Sequence, residues 1–215
     1  MKARPARSIW VRPPGPVAPG LRIGLLGGSF DPAHEGHLYV GEVALKQLGL
    51  DYVWWLVTPR NPLKGGAGLA PLEDRVARAQ ALARHPRVVV MDIERALGTH
   101  YSIDTLKALQ RRFPQLRFVW LMGSDNLAIF RRWHRWAEIA ARVPIAVVLR
   151  PGTILASLHA APMRHFARRR AAAGLAMTAP PAFAILDGRR NPQSSTAIRA
   201  EIQRGEALVR AIPPC

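Results

Sequence analysis

The chain has 215 residues, 49% hydrophobic and 21% charged; the length suits one domain rather than two enzymatic ones, and the composition excludes wholesale disorder. The formal net charge of +17 points to anionic partners such as nucleotides, nucleic acids or acidic surfaces. No apolar run approaches the roughly 18 residues of a membrane span. The only cysteine is Cys215, which excludes an intrachain disulfide framework and a cysteine-based zinc site and leads us to expect a reducing, cytoplasmic compartment.

In chain order, residues 1–20 hold Lys2, Arg4, Arg7 and Arg12 among Pro5, Pro13, Pro14, Pro16 and Pro19. They read as a basic, proline-rich, disordered extension without a signal-peptide core, and residues 21–215 as one domain. Apolar runs then alternate with helical periodicity. Strands are expected at Leu21–Leu26, Tyr52–Val57, Val88–Asp92, Phe118–Met122, Ile145–Leu149 and Ala182–Leu186, and helices near 37–48, 71–84, 102–113, 135–142, 154–172 and 195–204. The second helix has Pro71 in its first turn and Glu73 and Asp74 at its positive end. This alternation predicts an α/β fold, a doubly wound, mostly parallel sheet of about six strands with helices on both faces. Charge is uneven along it. Residues 139–186 contain six arginines, including Arg164, Arg168, Arg169 and Arg170, and no acid.

Ligands of open parallel sheets bind beyond the carboxyl ends of the strands, where strand order reverses. The segment after the first strand reads Gly27-Gly28-Ser29-Phe30-Asp31-Pro32-Ala33-His34-Glu35-Gly36-His37. The two glycines let backbone N–H groups approach an anion beside a helix N-terminus. His34 and His37, three apart on a helical turn, present both imidazoles to one side, an arrangement that can stabilise charge on phosphoryl oxygens. Surface or helix-capping histidines are the alternative. A catalytic zinc needs a third ligand, and His85, His100, His134, His159 and His165 stand at no such spacing, so no protein-held metal is expected. Neither Gly-x-Gly-x-x-Gly nor a P-loop is present.

The string GGSFDPAHEGH resembles the signature of the HxGH nucleotidyltransferases, and its wording resembles their nicotinate-nucleotide adenylyltransferase branch. Three further elements are similar to that branch in the same order: Tyr101-Ser102-Ile103-Asp104-Thr105-Leu106, Gly123-Ser124-Asp125 with Trp133 eight residues on, and Ser194-Ser195-Thr196-Ala197-Ile198-Arg199. The resemblance implies a Rossmann-like nucleotidyltransferase fold and in-line attack of a mononucleotide phosphate on the α-phosphorus of ATP, with pyrophosphate leaving. On that resemblance His34 and His37 act on the ATP phosphates as the catalytic pair, backbone groups of Gly27, Gly28, Ser29 and Phe30 hold the nucleotide, and Ser195, Thr196 and Arg199 clamp its outer phosphates. The physical reading of that clamp, hydroxyls and amides at a helix start with a guanidinium one turn in, agrees, although a plain capping sequence is equally available. Magnesium is expected to travel with ATP rather than sit in a protein cage.

The resemblance also puts nicotinate mononucleotide against Trp133, with Asp125 and the backbone of Tyr101 and Ser102 as contacts. Asn61, Lys64 and Arg150, on loops that follow strands, are candidates for its phosphate; as isolated charged or polar residues they could equally face solvent. Trp133 has a core aromatic as its alternative and Asp125 a helix cap. The sequence departs from the branch at Ser102, where threonine is usual, in the loop Thr58–Lys64, and in its end soon after the last motif. Two competitors remain: a sibling acting on phosphopantetheine, nicotinamide mononucleotide or a cytidylyl substrate, and a basic nucleic-acid-binding protein, which lacks helix-turn-helix, zinc-finger or aromatic RNA-binding wording. The expected partners are therefore ATP and nicotinate mononucleotide, with neither a specific nucleic acid nor a membrane.

Overall fold

A computed structural model describes residues 15–59, 69–150 and 172–187, together with 195, 198–200 and 204. The strands are β1 (Arg22–Gly28), β2 (Tyr52–Val57), β3 (Val88–Met91), β4 (Arg117–Gly123), β5 (Ile145–Val148) and β6 (Phe183–Leu186). The helices are α1 (Glu35–Leu48), α2 (Leu72–Leu82), α3 (Ile93–Leu97), α4 (Ser102–Arg112), α5 (Ser124–Ile129) and α6 (Trp136–Arg142). A 3-10 turn, Phe130–Arg132, links the last two, and another covers Leu175–Met177. The helix expected near 154–172 lies almost wholly outside the described residues; in that expected near 195–204, Ser195, Ile198, Arg199, Ala200 and Arg204 are helical.

The sheet runs in the order β3-β2-β1-β4-β5-β6 with every pairing parallel. Alternation along the strands explains its two faces, since successive side chains of a strand point to opposite sides. Ile23, Leu25, Trp54, Trp120 and Ile145 join Ile103, Leu106 and Leu109 of α4 and Ile139 of α6 in one core. Their strand neighbours Leu26, Val53, Trp55, Val119 and Ala146 join Val40, Ala44 and Leu48 of α1 and Ala79 of α2 in the other. Both halves of the Trp54–Trp55 pair are fully buried on opposite faces, as a strand covered on two sides requires. The chain winds one way to β3 with α1 and α2 on one face, then returns to β1 and builds outward on the other face through α4 and α6. Strand order therefore reverses between β1 and β4.

Part of the extension expected over residues 1–20 makes contacts with the rest of the chain. Val17 packs on the first core, its carbonyl accepts from Gln115 at 3.2 Å, and the Gly20 N–H donates to the Gln115 carbonyl at 2.9 Å. Residues 15–20 thus contact the domain through one apolar side chain and through hydrogen bonds of the backbone that a reading of side-chain composition does not register. No helix among the described residues is long and apolar enough to cross a membrane.

Candidate active site

The carboxyl ends of the strands open into a cleft of about 600 Å³. Eleven residues singled out in the sequence line it: Gly27, Gly28, Ser29, His34, His37, Tyr101, Ser102, Asp125, Trp133, Arg150 and Ser195. They come from the ends of β1, β4 and β5, the starts of α1 and α4, and the last helix, so the strand-order rule brings them to one place.

The histidine pair is built by the start of α1. His34 is the N-cap; its Nδ1 accepts from the Gly36 N–H at 3.0 Å, while His37 Nδ1 accepts from the His34 N–H at 3.2 Å. These are reciprocal caps, satisfying two of the donors a helix start leaves open. The capping and functional readings of the pair are thus both satisfied at once. With each Nδ1 accepting, a neutral imidazole carries its proton on Nε2. The rings lie 3.9 Å apart, and His37 rests on Phe30 at 4.5 Å, which stacks in turn on Trp55 at 5.2 Å. Phe30 is therefore not a wall of the cleft: its ring is fully buried beneath His37, held there by a left-handed backbone at φ 49°, a conformation uncommon for a bulky residue. Burial pushes the His34 imidazole down to about 4, with the Arg150 charge acting in the same direction and Asp125 opposing.

Arg150 closes this end of the cleft. Its Nη1 donates to Asp125 Oδ2 at 3.2 Å and its backbone N–H to Ser124 Oγ at 2.8 Å. Two glycines make room for it. A Cβ on Gly36 would stand 2.5 Å from Arg150 Nη2 and 2.8 Å from His34 Nδ1, and one on Gly123 would meet Asp125 Oδ1 and Arg150 Cδ. Asp125 sits in the first turn of α5, behind Gly123 as N-cap, so it is not itself the cap; its Oδ1 is buried with no partner.

The opposite end is aromatic. Trp133 packs edge-on against Phe130 and Trp120, 5.3 and 6.0 Å away, and lines the cleft while touching the core. Tyr101, 40% exposed, stacks on His134 at 4.3 Å.

The last helix meets the first loop. Ser195 Oγ donates to the Pro32 carbonyl at 3.0 Å and Arg199 to the Asp31 carbonyl. Arg199 is outside the cleft lining, and Asn61, Lys64 and Thr196 lie outside the described residues. Sequence reasoning missed Thr58, Glu94, His100, Arg132 and His134 of the lining. It also missed Arg75, buried in α2, which donates to the carbonyls of Ser29 at 2.7 Å, Thr58 at 2.8 Å, Ala70 at 2.8 Å and Pro59 at 3.2 Å. That one guanidinium ties the loop after β1 to the loop after β2. An arginine within a helix carries no sequence signal of such convergence.

The model of the cytidylyltransferase-like family matches residues 25–201. A protein of Parvibaculum lavamentivorans named "probable nicotinate-nucleotide adenylyltransferase" is 54% identical over 187 residues, covering 85% of this chain and 93% of its own. One of Rhizobium meliloti with the same name is 47% identical, over 84% and 98%. Among solved structures, Plasmodium falciparum nicotinic acid mononucleotide adenylyltransferase complexed with NaAD shares the fold, with a TM-score of 0.65 at 16% identity over 84% of this chain and 83% of that one. The chain belongs to the cytidylyltransferase-like family. Within that family its place is with the nicotinate-nucleotide adenylyltransferases, in keeping with relatives about half identical along most of its length.

Proposed function

We propose that this chain is a nucleotidyltransferase that moves the adenylyl group of ATP onto nicotinate mononucleotide, a step of NAD biosynthesis. A 5′-phosphate oxygen of the mononucleotide bonds to the α-phosphorus in line, the bond from that phosphorus to pyrophosphate breaks, and deamido-NAD and pyrophosphate leave. The observation that carries this reading is one cleft at the β1/β4 crevice with a donor-rich end, His34, His37 and Arg150, and an aromatic end, Trp133, Tyr101 and His134. The first suits a triphosphate and the second a pyridine ring.

In-line phosphoryl chemistry asks the protein mainly to position the reactants and stabilise charge. The Nε2–H groups of His34 and His37, with the N-terminal dipole of α1, face the charge that builds on the phosphoryl oxygens. Neutral His34 serves as a donor without first taking up a proton. The backbone of Gly27 to Phe30 holds the nucleotide; Ser195, Thr196 and Arg199 hold its outer phosphates; Arg150, Asn61 and Lys64 serve the substrate phosphate. Trp133 stacks on the pyridine ring, with the backbone of Tyr101 and Ser102 at its rim, and Asp125 accepts from a ribose hydroxyl. Magnesium would travel with the triphosphate and neutralise its charge there. A cytoplasmic enzyme, where ATP and free thiols coexist, accords with these substrates and with the single cysteine.

The test is pyrophosphate release from ATP and magnesium with nicotinate mononucleotide, nicotinamide mononucleotide and phosphopantetheine in parallel. Turnover should be confined largely to the nicotinate substrate, and His37→Ala should lower kcat by about 10²-fold or more, as removal of an oxyanion donor does elsewhere. No turnover with any of the three would overturn the reading.

A further inference from the structure

Beneath His37 stands a column of side chains that the reaction above leaves without a role. Trp55 of β2 pairs in register with Leu26 of β1. Phe30 stacks on Trp55 at 5.2 Å with 24° between the ring planes, and His37 rests on Phe30 at 4.5 Å and 32°. Trp55 and Phe30 are both wholly buried. The His34 ring, 3.9 Å from that of His37, completes the column.

An extended chain would not put Phe30 there. β1 ends at Gly28, and a strand continued in the same direction would carry residue 30 roughly 7 Å beyond residue 28. A left-handed backbone at Phe30, φ 49°, instead folds the ring back over Gly28, where a Cβ would stand 3.4 Å from Phe30 Cε2. The entry to that turn is held from behind. Buried Arg75 donates from Nη1 at 2.7 Å to the Ser29 carbonyl, and this carbonyl shares a planar peptide with the Phe30 nitrogen. The plane from which the φ of Phe30 is measured is therefore fixed by a side chain of α2. A bulky residue is uncommon in this conformation, and one held there by its surroundings points to a function.

The geometry of His37 supplies that function. Its Nδ1 accepts from the His34 N–H at 3.2 Å, the long end of the ordinary range, and the second side-chain torsion of a histidine has only a broad minimum. Neither fixes the plane of the ring, whereas a flat surface packed against its face does. A donor to developing charge has to be held to within about 0.5 Å and 10–20°. We propose that Phe30 is a positioning residue for adenylyl transfer: its ring, folded back over Gly28, is the floor that holds the plane of the His37 imidazole. The inference rests on the role given to His37 above and names the side chain through which the loop after β1 sets it.

The experiment is a double-variant cycle on kcat and KM with ATP, magnesium and nicotinate mononucleotide, using wild type, Phe30→Leu, His37→Ala and the two substitutions combined. Leucine keeps an apolar side chain at the buried position and removes the flat face. Phe30→Leu should lower kcat by about tenfold to 10²-fold, the scale of a misplaced reacting group, while KM for either substrate changes far less. In the His37→Ala background the same substitution should lower kcat hardly at all, since residues that act as one unit are not additive. A residue that only filled the core would lower the urea midpoint and leave the kcat of the folded enzyme intact. If Phe30→Leu does not fold, Phe30→Met, whose flexible side chain fills irregular gaps, takes its place in the cycle. An unchanged kcat in the folded single variant, or a combined loss equal to the product of the two single losses, would overturn this inference alone. Absence of turnover in the wild type would overturn the function, full activity in His37→Ala would overturn the role of that histidine, and this inference would fall with either.

Discussion

His34 does two jobs with one ring. Its Nδ1 caps α1 while the residue lines the cleft, so the helix that it starts also fixes the tautomer of the ring. Because burial holds the imidazole at about 4, its titration in the ligand-free protein, followed by the NMR shift of its ring proton, should have its midpoint near pH 4, well below the ordinary value of about 6.5. A midpoint at the ordinary value would mean that the ring is not enclosed as described. Gly36 offers a complementary test. Alanine is favoured over glycine within a helix by roughly 1 kcal/mol, yet a Cβ there meets both Arg150 and His34. Gly36→Ala should leave the unfolding midpoint nearly unchanged and lower kcat by about 10²-fold, the penalty of displacing a positioned group by an ångström. The histidines were legible in the sequence from their type and spacing, and Trp133 and Asp125 only through the resemblance of their segment to the adenylyltransferase branch. Glu94 and Phe30 were not: a lone glutamate in a helix normally faces solvent, and the place of Phe30 beneath His37 depends on a backbone turn that its residue type disfavours.

At the scale of elements, long periodic segments were readable and short ones were not. Expected and observed strands agree to within two residues at each end, and α1 and α4 to within two. The two extra residues at the start of α1 come from His34 as cap. Helices α3 and α5, of five and six residues, are too short for a 3.6-residue period to declare itself, and it is α3 that delivers Glu94. The same limit hid the tie between elements. Arg75 of α2 holds carbonyls of two separate loops, so its loss leaves buried acceptors unpaired as well as removing a large side chain. Arg75→Met, similar in volume, should cost about 3 kcal/mol in urea unfolding and should raise KM through the loosened Ser29 carbonyl. A cost within about 0.5 kcal/mol, the range of an ordinary surface substitution, would show that the loops hold without it.

For the whole molecule, the parallel order and the placement of the cleft followed from alternation and from the reversal between β1 and β4, whereas the docking of residues 15–20 did not, because it rests on Val17 alone as an apolar contact and on hydrogen bonds to Gln115 in the turn before β4. Two buried titratable groups set opposite pH dependences. The depressed value of His34 contributes stability that is present above its unfolded value of about 6.5 and is lost as pH falls toward 4. The raised value of Glu94 contributes stability that is present below an unfolded value of about 4.3 and is lost as pH rises through its folded value. Over the interval between those unfolded values the slopes oppose. Unfolding free energies measured there should rise with pH in Glu94→Gln, fall with pH in His34→Gln, and run flatter in the wild type; equal slopes in all three would remove both assignments. The β1–β4 pair has a further consequence. Chain up to β3 carries the histidines, and chain from the N-cap of α4 onward carries Tyr101 and Trp133, while the two halves of the sheet meet along Arg22↔Arg117 to Leu26↔Leu121. Whatever sits in one half can approach what sits in the other only as closely as that ladder of hydrogen bonds permits, so the distance over which the new bond forms is set by the stiffness of a single seam.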